Sequence, residues 1–426
     1  MSGRLTRAAA LVVGAGLLPV VPSGAAATAD AESCFGLAPT IVAGPGDASV
    51  LGTEGDDVIL AQDVTNVTAL GGDDALCLSG VGWADAGEGD DRVDVSTPGR
   101  GWVVLGSGSD LFEGSPERDR VQADEFDGED SFPGEGPDNT DVVRTYGGGD
   151  AVYLADSSAA PSPDRVSLGP GNDRLTSDGG VTGDRRLHGG SGRDVVHLRL
   201  FGTRDGEVVL DLETGRATSD GTTFAVVADF EDADVHGTSG PLTVRATDGP
   251  NELRVTGGAA IDARGGADRI TLHGTPREVL GGPGRDSVAV LGYSDLEDLP
   301  VLYDLRRRTF TRGDAVAPFA VENLTVWSTG ALREDVVVLG TPGADVVTMR
   351  ACGGTVRGAG GDDVLRSDAE QCEGTPVTLR GGPGDDRLRG GDEVDVLVGG
   401  VGHDRAVGRR GSDRCRAEVE RGCELD

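Results

Sequence analysis

Along most of the chain an apolar residue returns every ninth position. Ile261, Ile270, Val279 and Val288 keep that beat, as do Val347, Val356 and Leu365, and again Leu379, Leu388, Leu397 and Ala406. Nearer the start Val50, Ile59, Val67 and Leu76 follow it with one eight-residue step. Such a period matches neither the 3.6 of a helix nor the alternation of a long strand. It fits a two-sided coil of eighteen residues, in which two turns separate two strands of about three residues, each turning one apolar side chain inward. The pattern predicts an all-β chain, a right-handed parallel β-roll or β-helix solenoid.

The polar positions between these apolar ones are mostly glycine and aspartate. Four consecutive nonapeptides set the template G-G-x-G-x-D-x-U-x, with U apolar: GGPGDDRLR (381–389), GGDEVDVLV (390–398), GGVGHDRAV (399–407) and GRRGSDRCR (408–416). Further copies are GTEGDDVIL (52–60), AGEGDDRVD (86–94), LGSGSDLFE (105–113), LGPGNDRLT (168–176), GGSGRDVVH (189–197), GGPGRDSVA (281–289), GTPGADVVT (340–348) and GAGGDDVLR (358–366). Asp57, Asp74, Asp91 and Asp110 are 17, 17 and 19 apart, whereas Asp268 to Asp286 and Asp345 to Asp363 are each 18 apart. Aspartates one coil apart stack on one edge of the roll, about 4.8 Å from one another. Asp386, Asp395, Asp404 and Asp413 are nine apart and so alternate between the two edges.

These nonapeptides resemble the RTX, or haemolysin-type, calcium-binding repeats. The resemblance covers most of the chain after its first thirty residues and implies Ca2+ at several turns, held by glycine-turn carbonyls and by aspartate carboxylates shared between successive turns. The ligands it implies are Asp57, Asp74, Asp91, Asp110, Asp173, Asp194, Asp268, Asp286, Asp345, Asp363, Asp386, Asp395, Asp404 and Asp413. Calcium takes six to eight oxygen ligands, and glycine lets the backbone adopt turns closed to other residues. Stacked carboxylates repel one another, so metal binding and folding are expected to be one equilibrium, with a loosened or disordered metal-free form. Glu393 stands at the fourth-position glycine of its repeat, register is open around Asp47 and Asp150, and 79–86 looks short. In the ragged stretch 114–166, Asp119, Asp130, Asp141, Asp150 and Asp164 each precede a hydrophobic residue by two while their spacing drifts, which marks these turns as weak sites.

Two segments break the pattern and resemble each other, EVVLDLETGRATSDGTTFAVVADF (207–230) and VLYDLRRRTFTRGDAVAPFAVENLTVW (301–327). Both read as small strand insertions without a ligand role. The expected organisation is a signal peptide at 1–29, a first roll at 30–197, an insertion at 198–255, a short repeat block at 256–290, a second insertion at 291–335 and a C-terminal roll with a cysteine-bearing cap at 336–426.

Composition narrows the function classes. Glycine is 71 of 426 residues, and 73 acidic against 38 basic residues leave a formal charge of -35, the basic ones being arginines. Such a surface attracts divalent cations and repels nucleic acid and anionic membranes. At the N-terminus, Arg4 and Arg7, the apolar run Ala8 to Val21 and the small residues Ala27-Thr28-Ala29 read as a cleaved signal peptide, so the mature chain is expected outside the cell as a monomer with no transmembrane segment. Six cysteines at 34, 77, 352, 372, 415 and 423 allow 15 pairings, of which proximity favours Cys34–Cys77, Cys352–Cys372 and Cys415–Cys423.

The sequence carries no HExxH, G-x-S-x-G or Walker motif. The five histidines, 188, 197, 236, 273 and 403, and the isolated Trp83, Trp102 and Trp327 read as surface or packing residues. No non-repetitive stretch is large enough to house an enzyme domain. The reading is therefore a non-enzymatic, secreted calcium-binding protein with a structural, adhesive or display role, its cell-surface or polysaccharide partner open. The alternative is a calcium-dependent β-helix lyase acting on extracellular polysaccharide, with an arginine base.

Overall fold

The computed structural model describes residues 33–424 apart from 98–100, 124–139, 156–162, 179–183, 201–205, 237–239, 293–299, 329–335, 352 and 369–375. The signal-peptide segment, Asp130 and the Cys352–Cys372 pairing lie outside the described residues. Within them every regular element is a strand of two to seven residues, and the chain is a parallel β-solenoid.

Each coil contributes a strand to one sheet, turns, contributes a strand to the other and turns back. The first sheet begins with Ile41–Ala43, Val58–Gln62 and Ala75–Ser79, and the second with Ser49–Leu51, Asn66–Thr68 and Trp83–Glu88. Pairing is parallel and in register, with Ile59 opposite Leu76 in the first sheet and Val67 opposite Ala84 in the second. Inward residues therefore stack on inward residues. Ile59, Val67, Leu76, Ile270, Val279, Val347, Val356, Leu365, Leu379 and Leu397 are all fully buried. The nine-residue beat is the core.

The first sheet holds 22 strands and the second 18. The difference of four comes from the two irregular segments. In the first, Val208–Asp211 runs parallel to the solenoid strands, Arg216–Ser219 returns antiparallel, and Thr222–Ala228 runs forward again beside Arg185–His188. In the second, Val301–Asp304, Thr309–Arg312 and Ala315–Ala320 repeat that meander. Each adds two strands to the first sheet while the second continues uninterrupted from Val195–Arg199 to Asp232–His236 and from Ser287–Gly292 to Asn323–Ser328. The extra strands face the core through Val208, Leu210 and Ala217, and through Tyr303 and Phe310. Aromatic side chains pack the core at the second meander: Tyr303 lies 5.0 Å from Phe310 and 5.2 Å from Phe319, centroid to centroid.

Two expectations need correction. Trp83 and Trp102 are not isolated: they stand opposite each other on adjacent strands of the outer face, because the 19 residues between them make one coil. The stretch 114–166 is ragged in length but keeps coil register, with Arg120 opposite Ala151 and Val142 opposite Arg165. Two disulfides close near the ends, Cys34–Cys77 and Cys415–Cys423.

Candidate metal centre

The site follows from two rows of turns, one leading into the first sheet and one into the second. A strand's first inward position is its apolar residue, so the aspartate two places earlier also points inward, at the corner of the coil. On the first edge Asp57, Asp74, Asp91, Asp110, Asp141 and Asp164 stack in order. Each backbone N–H donates to the Oδ1 of the next, at 2.6 Å from Asp57 to Asp74, 2.8 Å from Asp74 to Asp91 and from Asp91 to Asp110, 3.0 Å to Asp141 and 3.2 Å to Asp164. On the second edge Asp119, Asp150, Asp173 and Asp194 form an equivalent ladder at 2.8 Å per step. Asn251, Asp268 and Asp286 form another, as do Asp345, Asp363, Asp386 and Asp404. Asp395 and Asp413 pair back on the first edge at 2.8 Å. All fourteen aspartates singled out in the sequence are buried in these ladders.

The ladders have distinct first rungs, inner rungs and ends. In a first rung the residue four places earlier satisfies the carboxylate. The Thr53, Ser115, Thr341 and Gly391 amides donate to Oδ2 of Asp57, Asp119, Asp345 and Asp395 at 2.6–2.8 Å, and the Thr53, Ser115 and Thr341 hydroxyls add a second bond. At Asn251 the direction is reversed, its side-chain amide donating to the Thr247 hydroxyl at 2.8 Å. In inner rungs that bond is gone. The Oδ2 atoms of Asp74, Asp91, Asp150, Asp173, Asp194, Asp268, Asp286, Asp363, Asp386, Asp404 and Asp413 are buried and have no hydrogen-bond partner. Three second-edge ladders end in a glutamate occupying the aspartate register: the Asp194, Asp286 and Asp404 amides donate to Oε2 of Glu231, Glu322 and Glu418 at 2.8–2.9 Å. The long first-edge ladder ends instead on Arg185, buried in the register position after Asp164, with Nε 3.5 Å from the Asp164 Oδ2.

The turn above an inner rung is equally constrained. Gly282 has φ +88°, and a methyl group there would lie 1.5 Å from the Arg264 carbonyl oxygen one coil earlier. The same turn position is left-handed even where glycine is lacking, at Leu70, Tyr146, Arg264, Ala359 and Arg409. Successive turns thus bring carbonyl oxygens and one carboxylate per coil together at the edges.

Burial is the main reason these carboxyls resist ionisation. It pushes Asp74, Asp194 and Asp268 up to about 6 and Asp91, Asp150 and Asp363 to about 7, against an ordinary 3.8; charged neighbours on adjacent rungs add to the rise, and the amide bonds along the ladder oppose it. Buried, partnerless oxygen atoms carrying mutually repelling charge are costly unless a cation joins them. Hard oxygen donors of this kind suit calcium, and the residues fit the ion. Among the described residues no group of three or more His, Cys, Asp or Glu side chains converges as a metal cage. The oxygen atoms offered at the edges are backbone carbonyls with one carboxylate per turn.

Sequence spacing did not mark Asp119, Asp141, Asp150 and Asp164 as full members, yet all four are buried rungs. It also scattered the histidines, two of which gather on the outer face of the second sheet. Asp234 bridges His197, at 3.3 Å, and His236, whose Nδ1 faces the Thr256 hydroxyl at 2.9 Å. Burial alone would raise Asp234; the His197 hydrogen bond and the two imidazoles outweigh it and hold the carboxyl below its ordinary value.

Fold and edge together define a glycine-turn β-roll with cation-seeking edges. A family model, the RTX calcium-binding nonapeptide repeat, matches four copies at residues 378–415, and over that segment the chain is similar to this repeat family. Such repeats bind Ca2+ in general and are typically structural. A comparison with curated proteins finds no match.

Proposed function

We propose that the chain is a secreted protein in which several calcium ions, bound between glycine turns along both edges, drive assembly of the roll for a structural, adhesive or display role outside the cell. One observation carries this reading: among the described residues the buried Oδ2 atoms of inner rungs such as Asp74, Asp173 and Asp386 lack partners, while the first rungs Asp57, Asp119 and Asp345 are satisfied by their own loop. Bound calcium would supply charge neutralisation and cross-turn coordination. The chain's own part is to hold each Oδ1 on the neighbouring amide, leaving Oδ2 and the turn carbonyls for the ion. The ligands proposed are the inner rungs, including Asp141 and Asp150; Asp57, Asp345 and Asp395, bonded to their own loops, serve as foundations of the ladders. No comparable support favours the lyase alternative.

Circular dichroism with calorimetry during calcium titration, with magnesium as control, tests the proposal. Cooperative β formation with several ions per chain is expected. Asp404→Ala should weaken binding at the turn of Asp386, whose amide it accepts at 3.0 Å, whereas Asp47→Ala, an exposed turn residue bonded only to the Gly44 amide, should not. A fully folded chain indifferent to calcium would sink the proposal.

A further inference from the structure

The last strands of the second sheet carry an unusual outer face. Strand register places Val364, Arg387, Arg405 and Val419 in one file, and Arg366, Arg389, Val407 and Arg421 in the next. Five arginines stand there, all exposed, with no acidic side chain among them. Arg387 faces Arg405, and Arg366 faces Arg389, one strand spacing or about 4.8 Å apart. Two arginines earlier on the same sheet are compensated: Arg254 pairs with Glu252 at 2.9 Å and Arg199 with Asp178 at 3.2 Å. Among the described residues none of the five makes an ion pair; in these coils the pairs of Arg409 and Arg410 with Asp392 sit at the turns.

Like charges directly opposite on a sheet destabilise it. In a chain of net charge -35 an all-arginine face is a local reversal of sign, and it costs stability unless something anionic covers it. We propose that Arg366, Arg387, Arg389, Arg405 and Arg421 form a binding face for a linear acidic polysaccharide. Guanidinium groups engage carboxylate and sulfate in a two-pronged fashion, and files running across the strands match a polymer that repeats its anions. Residues 350–426 contain no Phe, Trp or Tyr. The face therefore has no ring on which to stack a nucleobase and no large apolar anchor for a lipid layer. The acids of these coils lie at the edges, and calcium there would remove their repulsion of the polymer. The proposal rests on the calcium reading to that extent.

The test is binding of the calcium-loaded chain to immobilised dextran sulfate, with uncharged dextran and anionic phosphatidylglycerol vesicles as separate arms. Binding to dextran sulfate should weaken with added sodium chloride. It should fall by about tenfold or more in the variant R366Q/R387Q/R389Q/R405Q, which removes four exposed charge contacts, and hold in a control, R120Q/R174Q/R269Q, elsewhere on the same sheet. Should the quadruple variant lose its calcium-induced circular dichroism, the double variants R387Q/R405Q and R366Q/R389Q take its place, each with a loss of about threefold or more expected. Equal binding to dextran, equal loss in the control, or binding to vesicles but not to dextran sulfate would overturn the proposal. A calcium-indifferent fold that still bound through these arginines would sink the calcium reading and leave this one standing.

Discussion

Without calcium, the roll should be more stable in mild acid than at neutral pH. The inner-rung carboxyls have folded-state values raised from 3.8 to about 6 for Asp74, Asp194 and Asp268 and to about 7 for Asp91, Asp150 and Asp363. A raised carboxyl binds its proton more tightly in the fold than in the unfolded chain. Its contribution is fully present below the unfolded value and is lost as pH rises through the folded one, here between about 4 and 7. Each tenfold step is worth about 1.4 kcal/mol, so each rung forfeits roughly 3 to 4 kcal/mol across that window. Adjacent rungs share their repulsion, so the ladder total is below the simple sum. Even two or three rungs nonetheless rival the roughly 5–15 kcal/mol that holds a domain folded. The assay is thermal melting of metal-free chain from about pH 8 down to about pH 5, above the isoelectric point near 4.3, with and without calcium. Metal-free melting temperature should climb as pH falls, and the calcium increment should shrink. Asp363→Asn should flatten part of the slope and remove one ion. Metal-free melting that is flat, or that falls on acidification, would refute the argument.

Other consequences are as direct. Arg185 takes the place of a cation at the end of the first ladder, so Arg185→Asp should add about one calcium per chain by calorimetry, whereas Arg185→Met should cost roughly 3 kcal/mol in urea unfolding by stranding the Asp164 carboxylate. Gly282→Ala should destabilise by more than about 3 kcal/mol, its methyl clashing with the Arg264 carbonyl. Ala359→Gly, relieving a φ of 85° at the same turn position, should stabilise by up to about 1 kcal/mol. Phe310→Ala should cost about 3–5 kcal/mol, because its buried ring packs against Tyr303 in the core at the second meander.

The coil was legible because its signal is packing: a side chain such as Val279 must meet Ile261 and Phe319 in the adjacent strands whatever the turn contains. The edges were legible only where coil length stayed near 18. Asp110 bonds to Asp141 across 31 residues and Asp141 to Asp164 across 23, so a spacing rule loses them while the strand register does not. The rung-to-rung bonds persist although the coil length varies. A signal was nevertheless present. Three first rungs carry a hydroxyl four places before the acid, at Thr53, Ser115 and Thr341, and Thr247 stands likewise before Asn251, where the turn must satisfy its own side chain. The histidine cluster gave no such sign, because His197, Asp234 and His236 meet only through an insertion that sequence distance cannot see across.

The ladder breaks and the strand insertions occur together, and this has a physical reason. Glu231 follows directly on the first meander and Glu322 on the second, and each closes a ladder. A longer side chain at that register still reaches the preceding amide. The next coil then begins with a rung held by its own threonine, Asp345 by Thr341 and Asn251 by Thr247, with the Asn251 side-chain amide also donating to the Glu231 carbonyl. The amide-to-carboxylate relay that couples one rung to the next is therefore cut at the points where the first sheet takes in two extra strands. Within a block, losing one ion leaves the adjacent carboxylate repelled and its turn unsupported, so neighbouring sites stand or fall together. Across a meander the blocks are connected by the apolar core and by strand pairing in the uninterrupted second sheet, and at the second meander Tyr303, Phe310 and Phe319 pack together. Repeat proteins are stable through nearest-neighbour contacts. Here two kinds of contact alternate along one chain, so the proposed calcium sites should give calcium dependence block by block rather than over the whole roll.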